Sequence, residues 1–131
     1  MNKEKATNLV KEFLRDQLYN EDWYKKINDE IKAILLYGSV AKGLNKPDSD
    51  VDILIILPLE LEEKHTIGEY SYSFQGQEIN IVLRSIERLR KLAVEHGDAF
   101  QAEIFRDSEI IWQKDGEVRG LIEKIVIKGL R

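Results

Sequence analysis

The sequence predicts an α/β (α+β) domain in which a mixed β-sheet is flanked by helices. Two short, nearly continuous apolar runs, residues 31–37 and 51–57, are typical of strands that are buried on both faces. Two segments of alternating polar and apolar residues, 66–74 and 78–83, are joined by a turn at 75–77 and predict a hairpin. Because helical patterns precede and follow these strands, we expect one sheet between helices.

The helices are predicted from apolar residues that recur three and four positions apart. This spacing predicts an opening helix over residues 3–19 and later helices over 85–95, around 98–105 and over 117–128. A short strand at 110–112 precedes the last of these helices. The helices therefore have the apolar faces that are needed to cover the sheet.

The length and composition of the chain limit the class of protein. Its 131 residues are enough for one ordinary core, so we expect a single domain over residues 1–131. The chain has no cysteine, which excludes thiolate metal ligands, and no apolar run of the roughly 18 residues that a membrane span needs. The N-terminus lacks the apolar segment of a signal peptide, so the expected location is the cytoplasm, without a membrane partner.

The charge of the chain argues against direct binding of nucleic acid. Its 20 Lys and Arg residues and 24 Asp and Glu residues give a formal net charge of −4. A protein that follows many phosphates usually has a basic stripe, and the two signs of charge are interleaved here. The densest basic stretch, residues 84–91, has apolar residues at helical spacing and is interpreted as the solvated face of an amphipathic helix.

Asp50 and Asp52 stand at the entrance of the second apolar strand. Residues two apart in a strand point to one face, with about 6.5–7 Å between their α-carbons. Two carboxylates so placed repel each other, and a hard divalent cation such as Mg²⁺ removes that conflict. The alternative is that both are solvated turn residues, with Asp52 capping a backbone group.

Gly38 and Ser39 end the first apolar strand, where a helical turn is expected to begin. Glycine lets the backbone approach a phosphate closely, and the start of a helix offers free N–H donors. Lys42 could add a positive charge one turn later. In the alternative interpretation Gly38 serves a tight turn and Ser39 caps the helix. A phosphate cradle followed by a metal-binding pair at the start of the next strand is much less expected by chance than either feature alone.

A third carboxylate would complete a site for two-metal chemistry, and Glu78 is the candidate. It opens the alternating strand at 78–83, where Glu78 and Asn80 share one face. Asn80 is polar but neutral, so it cannot act as a base. The alternative is that Glu78 is an exposed residue just after the turn.

Residues 35–57 have the sequence LLYGSVAKGLNKPDSDVDILIIL. An apolar strand, Gly-Ser, a spacer of ten residues and Asp-x-Asp entering a second strand resemble the signature of the polymerase-β-like nucleotidyltransferase superfamily. The Ala-Lys-Gly and Ser-Asp-x-Asp sub-patterns are also similar. The resemblance implies the nucleotidyltransferase fold, in which the Gly-Ser loop holds the nucleoside triphosphate and the acids bind metal. It assigns nucleotide binding to Gly38, Ser39, Lys42 and Ser49, and catalysis and metal binding to Asp50, Asp52 and Glu78.

The third acid departs from the pattern of the small members of this superfamily, where it is usually an Asp within an apolar strand. Here the segment is GQEINIVL, which is closer to the Glu-containing strand of the aminoglycoside-adenylylating members. This resemblance gives Glu78 the role of activating the acceptor hydroxyl. If Asn80 is the true equivalent, catalysis is expected to be weak or absent.

About fifty residues follow Glu78, too few for an added acceptor-binding domain. The chain as a whole thus resembles the minimal nucleotidyltransferase (MNT) antitoxins of HEPN/MNT toxin–antitoxin pairs. That resemblance implies Mg²⁺-dependent transfer of AMP from ATP to a hydroxyl on a HEPN partner protein. A non-catalytic antitoxin-like binding protein and an aminoglycoside-type enzyme acting on a small molecule remain alternatives, and a homo-oligomer is compatible with the sequence.

Overall fold

The structure is a computed structural model that describes residues 1–43, 49–65, 70–95 and 97–130. Within these residues it has seven α-helices and five β-strands, and short 3₁₀ turns stand on either side of the second helix. In chain order the elements are α1 (Lys3–Asp16), α2 (Asp22–Ile27), β1 (Ala33–Tyr37), α3 (Gly38–Lys42), β2 (Val51–Leu57), α4 (Leu59–His65), β3 (Tyr70–Phe74), β4 (Gln77–Ser85), α5 (Ile86–Val94), α6 (Ala99–Arg106), β5 (Glu109–Gln113) and α7 (Glu117–Gly129).

The five strands form one mixed sheet in the order β3-β4-β2-β1-β5. β2 and β4 run parallel, whereas β1 is antiparallel to both β2 and β5, and β3 is antiparallel to β4. The predicted class, a mixed sheet flanked by helices, is confirmed. Because β2 and β4 are parallel and β1 is antiparallel to β2, the end of β1 and the starts of β2 and β4 lie at the same end of the sheet.

The central strands are buried on both faces, which explains their nearly continuous apolar sequence. Alternate residues of β1 and β2 pack in two separate clusters, one with α1, α2 and α3 and the other with α5, α6 and α7. Ile34 and Ile53 belong to the first cluster, and Leu35 and Leu54 belong to the second. The sheet therefore lies between two layers of helices.

The hairpin of β3 and β4 turns at Gln75 and Gly76, whose φ angles are 51° and 76°. Two successive positive φ values are typical of a type I′ turn, which suits a two-residue connection. The observed turn is thus one residue shorter than the predicted turn of three residues, and β4 begins at Gln77. Of the strand predicted over 66–74, residues 66–69 lie outside the described residues, and β3 begins at Tyr70.

α4 was not predicted from the sequence. It has no fully buried residue, so its sequence lacks the apolar spacing by which the other helices were predicted. Glu60 and Glu62 in its first turn and Lys64 and His65 in its last turn complement the helix dipole.

The opening helix is shorter than predicted, because α1 ends at Asp16 and a 3₁₀ turn follows. Among the described residues, none of the helices combines the length and apolar character needed to cross a bilayer.

Candidate functional site

A row of four residues crosses the sheet where β1 ends and β2 begins. The strand registers pair Tyr37 with Asp52, Asp52 with Asn80, and Asn80 with Ser71. Residues directly opposite each other in neighbouring strands point to the same face, so the four side chains share one face of the sheet. Leu54, two positions after Asp52, is packed under α5–α7 on that same face. The row therefore lies at the end of the second core cluster.

Gly38 lies directly against the carboxylate of Asp52. A β-carbon at Gly38 would be 2.4 Å from Asp52 Oδ2, far closer than real atoms approach. Gly38 also has a φ of +79°, in the left-handed region of backbone conformation that residues other than glycine rarely adopt. The start of the predicted phosphate cradle and one acid of the predicted metal pair are therefore in contact, which their separation in the sequence did not show.

Asp52 is half-buried, and burial is the largest cause that raises the pKa of its carboxyl. A hydrogen bond from Asn80 lowers this pKa, and the charge of Asp50 raises it again. Asp50 itself is exposed, and its Oδ2 accepts a hydrogen bond of 2.9 Å from Asn80 Nδ2. The amide of Asn80 thus interacts with both acids, which repel each other.

Glu78 lies two residues before Asn80 in β4 and is exposed. Its Oε1 accepts a hydrogen bond from Ser71 Oγ, and the same Oγ lies 2.9 Å from Asn80 Oδ1. A hydroxyl has one proton, so Ser71 can donate to only one of these oxygens at a time. Asn80 is the residue beside Asp52 in register, and the role of Glu78 as third acid stays a prediction.

Lys42 and Ser49 lie on either side of residues 44–48, which are outside the described part of the chain. Lys42 is the last residue of α3, and the N–H of Gly43 closes that helix on the carbonyls of Ser39 and Val40. The carbonyl of Ser49 accepts a hydrogen bond of 2.6 Å from Gln77 Nε2, which ties the approach to β2 to the start of β4. Their predicted roles in nucleotide binding stay predictions.

The acid pair fits a hard divalent cation by its chemistry. The carboxylates of Asp50 and Asp52 lie close enough together for the Asn80 amide to interact with both. The burial of Asp52 and its repulsion by Asp50 make two negative charges unfavourable there, and a hard cation with oxygen ligands offsets both effects. In the part of the chain that is described, no three His, Asp or Glu side chains come together as a metal cluster. Asp50 and Asp52 are the candidate donors, and Mg²⁺ is commonly bound by one or two carboxylates where substrate phosphates supply further ligands.

Ser71 was missed in the sequence, although the turn could have revealed it. Once Gln75-Gly76 is recognised as a two-residue turn, Phe74 pairs with Gln77, and counting outwards places Ser71 opposite Asn80. No role was predicted for the polar residues of β3, and the predicted turn was one residue too long to give this register.

A family model described as a nucleotidyltransferase domain matches residues 20–118, which include all the candidate site residues. The chain belongs to this nucleotidyltransferase family. A search of curated protein sequences found no match.

Two solved structures are similar to the chain. A nucleotidyltransferase-like protein from Exiguobacterium sibiricum 255-15 is 12% identical, with a TM-score of 0.53 over 78% of this chain and 35% of that one. A toxin–antitoxin structure with AMP-PNP is 18% identical, with a TM-score of 0.43 over 82% of this chain and 85% of that one. The chain spans about a third of the Exiguobacterium protein (35% of its length), and at this identity the first likeness shows a shared fold.

Proposed function

We propose that the protein is a Mg²⁺-dependent nucleotidyltransferase that moves AMP from ATP to a hydroxyl on a HEPN-type partner protein. The observation that supports this most strongly is the contact of Gly38 with the carboxylate of Asp52. Because of this contact, phosphates bound at Gly38 and Ser39 would lie next to the acid pair. Nucleotide binding and metal binding would then occur at one place, as phosphoryl transfer requires.

Each side chain has a defined task in this proposal. The Gly38-Ser39 backbone, Lys42 and Ser49 bind the phosphates, and Asp50 and Asp52 hold the cation. A bound Mg²⁺ supplies neutralisation of phosphate charge and orientation of the α-phosphate. The share of the protein is positioning rather than covalent chemistry.

The transfer step is a substitution at the α-phosphorus. A bond forms between the acceptor oxygen and the α-phosphorus, the bond from that phosphorus to the oxygen bridging to the β-phosphate breaks, and pyrophosphate leaves. The acceptor proton goes to Glu78, whose exposed carboxylate is oriented by Ser71. Glu78 would alternatively complete the metal site.

A protein acceptor is supported by the exposure of the site. Asp50, Ser71 and Glu78 are all exposed, whereas selection of a small acceptor depends on buried polar groups matched to it. A protein acceptor can dock its own surface beside the acids. The net charge of −4 favours a basic partner over RNA or DNA. The HEPN identity of the partner is inferred from the sequence resemblance to MNT antitoxins.

The proposed transfer is tested by co-expressing the chain with the product of the adjacent gene and measuring the intact mass of that product. We expect a gain of one or more AMP units with the wild type and none with Asp50→Asn. The matched control is Asp29→Asn, an exposed acid in the 3₁₀ turn before β1, which should leave the mass gain unchanged. A stable complex whose partner gains no mass would contradict transfer.

A non-catalytic binding protein is the second candidate, and the position of Asn80 favours it. In the register of β2 and β4, a neutral amide rather than a carboxylate lies beside Asp52. The same experiment separates the candidates, since a binding protein neutralises its partner without a mass change. Efficient transfer to a free aminoglycoside without any partner would instead favour the small-molecule enzyme.

A further inference from the structure

The amide group of Asn80 interacts with both acids. Its Nδ2 donates to Asp50 Oδ2 at 2.9 Å, and a hydrogen bond from Asn80 also acts on Asp52, its direct neighbour in the sheet. A side-chain amide nitrogen has two hydrogens, so one nitrogen can serve both carboxylates. Without a cation, Asn80 therefore offsets part of the repulsion between Asp50 and Asp52.

The orientation of this amide is fixed by its neighbours. Ionised carboxylates only accept hydrogen bonds, so the NH₂ end must face Asp50 and Asp52. The Oδ1 end then faces Ser71 Oγ at 2.9 Å. With its donors directed at the acids, Asn80 cannot offer its oxygen to an ion between them unless the amide first turns over.

We propose that Asn80 sets the affinity of the acid pair for a divalent cation, because a cation held by both carboxylates must displace the Asn80 N–H donors from them. The cation then binds weakly alone and is held firmly only together with the phosphates of a nucleoside triphosphate. Mg²⁺ is usually bound by one or two carboxylates plus substrate phosphates, which supports this order. The role of the nucleotide rests on the proposed function, whereas the displacement itself does not.

The test measures the affinity of the nucleotide-free protein for Mn²⁺, and the electron paramagnetic resonance signal of free Mn²⁺ reports how much of the ion is unbound. Asn80→Ala removes the competing donors without adding a ligand, so we expect it to bind Mn²⁺ severalfold more tightly than the wild type. Asn80→Asp also adds a third carboxylate and should bind at least about tenfold more tightly, because affinity rises with ligand charge. Asn8→Asp, an exposed position on α1, makes the same charge change elsewhere and should leave binding unchanged.

Either of two results would overturn the inference. Weaker Mn²⁺ binding by Asn80→Ala would mean that the amide helps to hold the ion rather than competing with it. Unchanged binding by Asn80→Asp would mean that position 80 does not reach the ion. Circular dichroism of each variant checks the fold, and Asn80→Ala, which adds no charge, keeps the test valid if Asn80→Asp does not fold. The experiment uses neither nucleotide nor partner, so its failure and a failure of AMP transfer are distinguishable.

Discussion

Asp52→Asn is expected to abolish nucleotidyl transfer and at the same time to make the metal-free protein more stable. The rate of transfer should fall by at least about a hundredfold. Mutation of a residue that only supports a metal ligand already lowers metal affinity or activity roughly 10- to 100-fold, and Asp52 is proposed as a direct ligand. Stability should rise because the substitution removes a half-buried charge that Asp50 repels. Opposite effects on activity and stability are typical of a residue that is kept for binding rather than for folding.

The stability effect of Asp52→Asn has a defined pH dependence. Burial and Asp50 raise the pKa of Asp52, so the folded protein holds this proton more tightly than the unfolded chain, where the pKa of Asp is about 3.9. The tighter binding of this proton in the folded protein contributes to the free energy of unfolding. That contribution is complete below the pKa of Asp52 in the unfolded chain and is lost as the pH rises through its pKa in the folded protein. Thermal melts in EDTA should therefore show the largest gain of the variant at neutral pH and a shrinking gain towards pH ~4.

The control for this prediction is Asp29→Asn, which removes an exposed acid before β1 and leaves Asp50 and Asp52 in place. It should change neither the activity nor the melting temperature appreciably. A lower melting temperature of Asp52→Asn in EDTA at neutral pH would show that the carboxylate stabilises the fold, contrary to the expectation.

Gly38→Ala is expected to abolish the binding of nucleotide with Mg²⁺, at a moderate cost in stability. The new β-carbon would lie 2.4 Å from Asp52 Oδ2, so the carboxylate must move away from its position. The positive φ of Gly38 adds strain of about 1–2 kcal/mol for any residue with a β-carbon. The carboxylate shift should remove the metal site, whereas the strain should lower the free energy of unfolding.

Gly43→Ala separates these two effects. Gly43 has a φ of +74°, close to the +79° of Gly38, but a β-carbon there would meet no atom of the described residues within 4 Å. It should therefore lose a similar 1–2 kcal/mol of stability, approximately, while nucleotide binding stays nearly intact. Denaturant unfolding and calorimetric titration with MgATP measure the two quantities. Equal losses of binding in Gly38→Ala and Gly43→Ala would mean that backbone strain, not the contact with Asp52, is responsible.

Much of the fold was predictable from the sequence because its physical causes are local. The apolar runs of β1 and β2 follow from burial on both faces, and the spacing of apolar residues in α1, α5 and α7 follows from one buried face per helix. α4 could not be predicted in this way, since none of its residues is fully buried and Leu61 packs against the core only as a partly buried residue. The turn at Gln75-Gly76 was predicted one residue too long, and an error of one residue in the turn changes the pairing of β3 with β4.

The candidate site was predictable as a list of residues but not as an arrangement. Gly38, Asp50 and Asp52 were chosen for their chemistry and order in the chain, and the contact of Gly38 with Asp52 needed the antiparallel pairing of β1 and β2. The position of Asn80 beside Asp52 depends on the parallel register of β2 and β4. Such long-range registers are set by the packing of the whole sheet, which no local pattern specifies.

The central claim is that Gly38, Ser39, Asp50 and Asp52 form one site for a nucleoside triphosphate with its cation. Calorimetric titration of ATP into the wild type and into the double variant Asp50→Asn/Asp52→Asn, each with saturating Mg²⁺ and with EDTA, tests it most directly. We predict that the wild type binds ATP at least about tenfold more tightly with Mg²⁺ than with EDTA, and that the double variant loses this difference. Equal affinities of the two proteins for ATP in the presence of Mg²⁺ would contradict the claim.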